Sequence, residues 1–152
     1  MLKFKTTRQR SDNMKAIKAS SNRTTERRLR ALLVRKCVRG WKVRHSSVPG
    51  NPDFFFENEQ VAVFVDGCFW HGCPKCGHVP KANRPYWAKK LARNKKRDRQ
   101  IRIVLETEGV RVVRVWECDL RSQPLSCLNR ILKVLESAAG VRTVVSTPRI
   151  ST

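Results

Sequence analysis

Residues 66–76 of this 152-residue chain read Asp66-Gly67-Cys68-Phe69-Trp70-His71-Gly72-Cys73-Pro74-Lys75-Cys76. Thiols, an imidazole, an acid and two adjacent aromatics share that short span. Cys68, Cys73 and Cys76 lie close together, and Cys118 stands far away in sequence. Three local thiolates and one remote thiolate suit a closed structural zinc site. His71 or His78 could replace one thiol, and plain reduced core cysteines are the alternative. Asp53 and Asp66 flank two apolar runs, Phe54-Phe55-Phe56 and Val61-Ala62-Val63-Phe64-Val65. An antiparallel hairpin would bring these acids together. Asp53 is then a candidate Mg²⁺ ligand, helped by Asp66 or by the backbone carbonyl of Val65. A hard cation takes oxygen ligands and bridges to phosphate. Asp53 equally suits a cap of the turn after Pro52. His71 can take a proton from water attacking phosphorus, unless it is a zinc ligand. Phe69, Trp70 and Trp87 are either core or wedges between base steps.

These groups need a frame. The polar turn Glu57-Asn58-Glu59 joins the two apolar runs into the hairpin. A long helix is predicted over Pro85 to Glu108, with Gly109 as its C-cap. Its stripe is Trp87, Leu91, Ile101 and Leu105, interrupted at the same spacing by Asn94 and Asp98. Polar groups that face inward must find partners. A buried hydrogen-bond pair without chemistry satisfies that need. So does an Asp98–His71 pair of the kind that orients a catalytic imidazole.

Upstream, Thr24-Thr25 is predicted to cap a helix, with Glu26 in its first turn. Leu29, Leu32, Leu33 and Cys37 form its apolar face, and Gly40 is the expected stop. Cys37 and Cys127 read as core. Trp41 to Arg44 alternates like a half-buried strand. Val110 to Trp116 reads as a strand with Cys118 just past its end. Residues 124–138 look helical, with Pro124 in the first turn. The order helix, strand, strand, strand, helix, strand, helix predicts an α/β fold whose mixed central sheet is flanked by helices. Residues 1–23 are expected to form a basic arm on DNA, 24–139 the domain, and 140–152 a flexible tail.

The chain holds 33 Lys and Arg against 12 Asp and Glu, a formal net charge of +21. Such a field favours a polyanion, and nucleic acid releases its counterions on binding. An anionic membrane is the rival partner, but no long apolar segment or lipidation motif supports it. The basic start lacks the apolar stretch of a signal peptide. The expected compartment is the cytosol, where thiols stay reduced and clustered cysteines favour metal. The expected state is a monomer.

Pro52-Asp53, the run from Asp66 to Pro74, Asn94 with Arg97-Asp98-Arg99, and Val115-Trp116-Glu117-Cys118 together resemble the bacterial very-short-patch repair mismatch endonucleases. Ser11, Asn13-Met14 and Thr25-Glu26 fit the same family, so the likeness spans roughly residues 8 to 137. The resemblance implies a restriction-endonuclease-like fold with one structural zinc. It implies Mg²⁺-dependent nicking 5′ of the thymine in T:G mismatches, which arise when 5-methylcytosine deaminates. By position, Asp53 would hold Mg²⁺ and His71 would be the general base, supported by Asn94 and Asp98. Glu26 would support the site. Phe69, Trp70 and Trp87 would intercalate, with Met14 approaching from the minor groove. Repair proteins would act on the nicked product. Two departures stand out. Some members carry Thr and His where this chain has Val65 and Asp66, and some use His where it has Cys73. A restriction-like enzyme on matched DNA and a non-catalytic, zinc-stapled binding module are the competing readings.

Overall fold

The computed structural model describes residues 8–145; residues 1–7 of the expected arm and 146–152 of the expected tail lie outside the described residues. Its elements are α1 (Arg8–Arg35), β1 (Trp41–Val43), β2 (Phe54–Phe56), β3 (Val61–Asp66), α2 (Cys68–His71), α3 (Arg84–Thr107), β4 (Arg111–Trp116), α4 (Glu117–Ser122) and α5 (Pro124–Val145). The strands form one sheet in the order β1-β2-β3-β4. The first three are antiparallel neighbours, and β3 pairs with β4 in parallel. The predicted hairpin is therefore β2–β3, with Phe54 opposite Val63 and Phe56 opposite Val61. A parallel pair needs a crossover, and α3 supplies it between β3 and β4.

Side chains alternate across a strand, and this alternation sorts the core into two layers. Phe54, Phe56, Val61, Val63, Val65, Val113 and Val115 pack with Leu29 and Leu33 of α1 and with Leu128 and Ile131 of α5. Phe55, Ala62 and Phe64 face the other way, against Leu105 and Ile101 of α3. Phe54 is fully buried; truncating such a ring to Ala typically costs about 3–5 kcal/mol. The sheet is thus covered on both faces, as predicted. By the same alternation Asp53, Asp66 and Arg114 belong to the α3 side.

Several boundaries differ from expectation. α1 runs straight through Thr24-Thr25, so these threonines are helix interior and Thr25 is buried. No Gly or Pro interrupts residues 8–35. Arg, Lys, Ala and Met there favour helix, and two Thr cost only fractions of a kcal/mol each. The helix stops before Gly40. Cys37 adopts φ 55°, Val38 N–H reaches Leu33 O at 2.9 Å, and Cys37 N–H reaches Val34 O at 3.0 Å. This is a Schellman closure with Cys where Gly is usual. It turns Val38 onto the core and leaves Cys37 exposed, so Cys37 is not a core residue. Gly109 closes α3 in the same manner, with φ 81° and Val110 N–H on Leu105 O at 2.9 Å. α5 continues past Gly140 to Val145. One helical Gly costs only about 1 kcal/mol, too little to end a packed helix. Among the described residues, no helix is long and apolar enough to cross a membrane.

Candidate active site

Asp53 sits at the mouth of the hairpin, just before β2. Its Oδ2 accepts a hydrogen bond from Val65 N–H at 2.7 Å. Burial raises the Asp53 pKa to about 6. The Val65 N–H pulls it down, the nearby charges of Glu26 and Asp66 push it up again, and Arg44 opposes them. Glu26 reaches the site from α1, where its Oε2 lies 3.0 Å from Arg44 Nη2. The Arg44 N–H in turn donates to Asp53 O at 3.4 Å. Glu26 and Asp53 therefore share one neighbourhood.

His71 ends α2, a single turn that leaves β3 through Gly67. Gly72 closes that turn at φ 65° and bonds back to Cys68 O. The two polar interruptions of the α3 stripe meet this turn. Asn94 Nδ2 donates to Trp70 O at 3.0 Å, and Asp98 Oδ2 lies 2.7 Å from His71 Nδ1. Burial opposes the charge on Asp98, but the hydrogen bond to His71 and the charges of His71 and Arg114 hold its pKa below the usual carboxylate value. An ionised Asp98 accepts from Nδ1–H, which leaves Nε2 as the proton acceptor.

Asp66 is 2% exposed and joins the same cluster. Its Oδ1 is 3.7 Å from His71 Nδ1, and its Oδ2 accepts from Arg114 Nη1 at 2.8 Å. Burial raises its pKa, against the pull of Arg114 and His71. Arg114 also lies 3.6 Å from Asp98 Oδ2 and covers the Phe64 ring at 4.9 Å. The sequence reading missed Arg114. Its signal was a charge inside the apolar run Val112–Trp116, at the parity of Val112, which faces α3.

The Sγ atoms of Cys68, Cys73, Cys76 and Cys118 all lie within 4.8 Å of one another. Zinc–sulfur bonds of about 2.3 Å give a tetrahedron with edges of about 3.8 Å. The Cys73–Cys118 separation is 3.7 Å, so this donor set fits such an ion. Burial resists ionisation of Cys73, but N–H groups of Cys76 and Lys75 and the neighbouring thiols draw its pKa down to about 7. Burial pushes Cys68 and Cys118 up. Gly77 is required here, because a Cβ would stand 2.4 Å from Cys73 O. Neither alternative imidazole belongs to the thiol group: His71 faces Asp98, and His78 lies against Phe69 at 5.7 Å. Cys127 is buried, as expected of a core thiol.

Beside His71, Phe69, Trp70 and Trp87 form an edge-to-face cluster with centroid separations of 5.0, 5.4 and 6.1 Å. Trp70 is buried, while Phe69 and Trp87 are half-exposed. Tyr86 extends the cluster at 5.3 Å from Trp87, and Lys90 Nζ lies 5.5 Å from the Trp87 ring centre. Tyr86 was legible as the neighbour of Trp87, and Lys90 as its i+3 partner. Met14 sits twelve residues before Glu26 on α1, about 18 Å along the helix axis.

Comparison with known proteins gives the family. A family model described as DNA mismatch endonuclease Vsr matches residues 3–76. The chain is 42% identical over 115 residues to the type II nicking enzyme V.NaeI of Lentzea aerocolonigenes, covering 71% of this chain and 67% of that protein. It is 38% identical over 103 residues to the type II nicking enzyme V.XorIIP of Xanthomonas oryzae pv. oryzae, covering 66% and 74%. It is 38% identical over 116 residues to the DNA mismatch endonuclease Vsr of Escherichia coli, covering 75% and 72%. The chain belongs to the DNA mismatch endonuclease Vsr family and is a DNA endonuclease.

Proposed function

We propose that the protein nicks duplex DNA 5′ of the thymine in T:G mismatches, with Mg²⁺ as catalytic cofactor and zinc as structural ion. The observation that carries this reading is the Asp98–His71 pair, linked to Asp53 through the neighbouring Asp66 and adjoining a half-buried aromatic cluster. Asp53 suits a hard cation. It is an acid whose ionisation the fold resists, close to the further negative charges of Glu26 and Asp66. Its second carboxylate oxygen and the Val65 carbonyl would hold the ion, with Asp66 committed to Arg114 instead. When bound, Mg²⁺ would offset charge that develops on the phosphoryl oxygens.

The protein's own groups do the rest. His71 Nε2 takes the proton of the attacking water as its oxygen bonds to phosphorus and the opposite P–O bond breaks. Asp98 fixes the ring and its tautomer, and it stabilises the imidazolium that forms. Asn94 anchors the backbone of the preceding residue, so the imidazole is held from both sides. Phe69 and Trp87 present the rings that would wedge into the stack, and Trp70 supports them from below. Opening a step costs a few kcal/mol, and less where the pair is mismatched, which is a route to selectivity. The +21 charge supplies affinity for the backbone, and α1 would extend that contact with Met14. The fold would be restriction-endonuclease-like, acting as a monomer in the cytoplasm.

A nicking assay on labelled duplexes tests the reading: matched, T:G in varied contexts, and other mismatches, each with and without Mg²⁺. The expected result is Mg²⁺-dependent cutting of the T strand of T:G alone. Cutting of both strands of matched duplex would replace it with a restriction-like activity. Salt-sensitive binding without any cleavage would leave a binding module.

His71→Ala should lower the single-turnover rate by about 10²- to 10⁴-fold, the usual contribution of a positioned acid–base group. Zinc should stay at one ion per chain. Loss of zinc in this variant would instead make His71 a ligand.

A further inference from the structure

We propose that Arg114 is a positioning residue for His71, holding Asp66 away from the imidazole so that Asp98 alone orients it. The inference rests on His71 serving as the base. Two carboxylates approach one ring nitrogen: Asp98 Oδ2 at 2.7 Å and Asp66 Oδ1 at 3.7 Å from Nδ1. A single Nδ1–H cannot serve both at full strength. Arg114 decides between them. Its Nη1 donates to Asp66 Oδ2 at 2.8 Å and stands 3.6 Å from Asp98 Oδ2.

The guanidinium is itself held in place. Its side chain is 19% exposed, and it lies over the Phe64 ring at 4.9 Å. The Arg114 carbonyl accepts from Arg130 Nη2 at 2.6 Å. Parallel pairing of β3 with β4 sets Phe64 beside Arg114 and Asp66 beside Trp116. Arg114 and Asp66 therefore lie diagonally on the α3 face, a reach that a long side chain spans. A planar, always-charged fork suits this bridge better than an ammonium. Without Arg114, the buried Asp66 carboxylate loses its partner, and among the described residues the other group near it is His71 Nδ1–H. The ring would be drawn off Asp98, and Nε2 would leave its line toward the attacking water.

The test measures single-turnover nicking, DNA affinity, zinc content and melting for Arg114→Met, Arg114→Lys, Asp66→Asn and the Arg114→Met/Asp66→Asn double variant. Arg114→Met should lose about 10- to 100-fold in rate, as for loss of an orienting partner, with zinc retained and affinity within about threefold. Asp66→Asn in that background should restore most of the rate, because a neutral amide competes weakly for Nδ1–H. Arg114→Lys should fall between and stands in if the Met variant fails to fold. In a His71→Ala background, Arg114→Met should cost nothing more.

Parental rate in both Arg114 variants would overturn the inference. So would a double variant whose losses simply multiply, or a fall explained by weaker DNA binding. The two readings fail separately. An active His71→Ala variant removes the base assignment whatever Arg114 does. An inactive His71→Ala beside a fully active Arg114→Met removes only the positioning role.

Discussion

Asp53→Asn should abolish Mg²⁺-dependent nicking, by at least about 10³-fold, while the metal-free protein becomes more stable near pH 8. A 10³-fold loss corresponds to roughly 4 kcal/mol of barrier. Both effects come from one placement. The carboxylate is mostly buried among other acids, and its pKa rises to about 6 from an ordinary 3.8. The sign follows from linkage. Between these two values the folded state holds the proton more tightly than the unfolded chain. Stability is therefore lost as pH rises from about 4 through about 6, and the full cost is present above that. At 1.36 kcal/mol per unit the ceiling is about 3 kcal/mol, and partial solvent contact brings it to roughly 1–3 kcal/mol.

Asn carries no charge and still offers an oxygen to Val65 N–H, so it escapes the cost. The Asn variant should melt a few degrees higher than the parent at pH 8 without metal, and the gap should narrow through pH 6 and close only below the ordinary value of 3.8. Mg²⁺ should raise the melting temperature of the parent alone, since only the parent has the ligand. DNA affinity should change little. Nicking within tenfold of the parent would remove Asp53 from the reaction. An equal or lower melting temperature at pH 8 would mean that the buried charge is already neutralised within the fold.

What could be read from the chain divides by periodicity. The hairpin was legible because two apolar runs flank a polar turn and both alternate faces. The α3 partners of His71 were legible for a related reason: Asn94 and Asp98 break an otherwise regular stripe, and a break on a buried face demands a partner. Cys118 was legible by position, a thiol just past the end of a strand while three clustered thiols lack a fourth ligand, although His71 and His78 were open alternatives. Arg114 was not, because its meaning depends on register. A charge inside an apolar run marks it as unusual, but only once β3 pairs with β4 does its side face Asp66, 48 residues away, and that partner leaves no local trace. The ends of α1 were misread for the opposite reason. Thr24-Thr25 has the chemistry of a cap, but a cap needs a helix that wants to start there, and the residues before it also favour helix. Cys37 shows the same override. Its place on the apolar face was correct by spacing, yet the chain leaves the helix before reaching it.

The zinc site carries the second large effect. Cys118→Ser should lose the bound ion, lower the melting temperature sharply and abolish nicking, although it touches none of the reacting groups. Cys68 opens α2, Cys73 and Cys76 follow it, and Cys118 lies in the first turn of α4 directly after β4. Cys118 N–H donates to Cys68 Sγ at 3.3 Å, so the two segments already meet before an ion is considered. An ion on four thiolates would clamp the end of β3 to the end of β4. Between two of those thiols, Cys68 and Cys73, lie Phe69, Trp70 and His71. Four thiols packed this closely resist joint ionisation, and a divalent cation is what relieves them.

Apparent binding energies of structural zinc reach roughly 10–16 kcal/mol, as large as the whole stability of a typical domain. The short α2 turn is too brief to hold its shape by helix formation alone. With the ion lost, Asn94 and Asp98 would face a turn that no longer presents Trp70 O and His71 Nδ1. Metal analysis should find one zinc per chain in the parent and almost none in the Ser variant. Chelation should reproduce the loss in the parent, and added zinc should reverse it. If Cys118→Ser keeps both zinc and nicking, the fourth ligand lies elsewhere. If the parent holds no zinc and melts unchanged in chelator, the thiols are reduced core cysteines and the α2 turn is held by Asn94 and Asp98 alone.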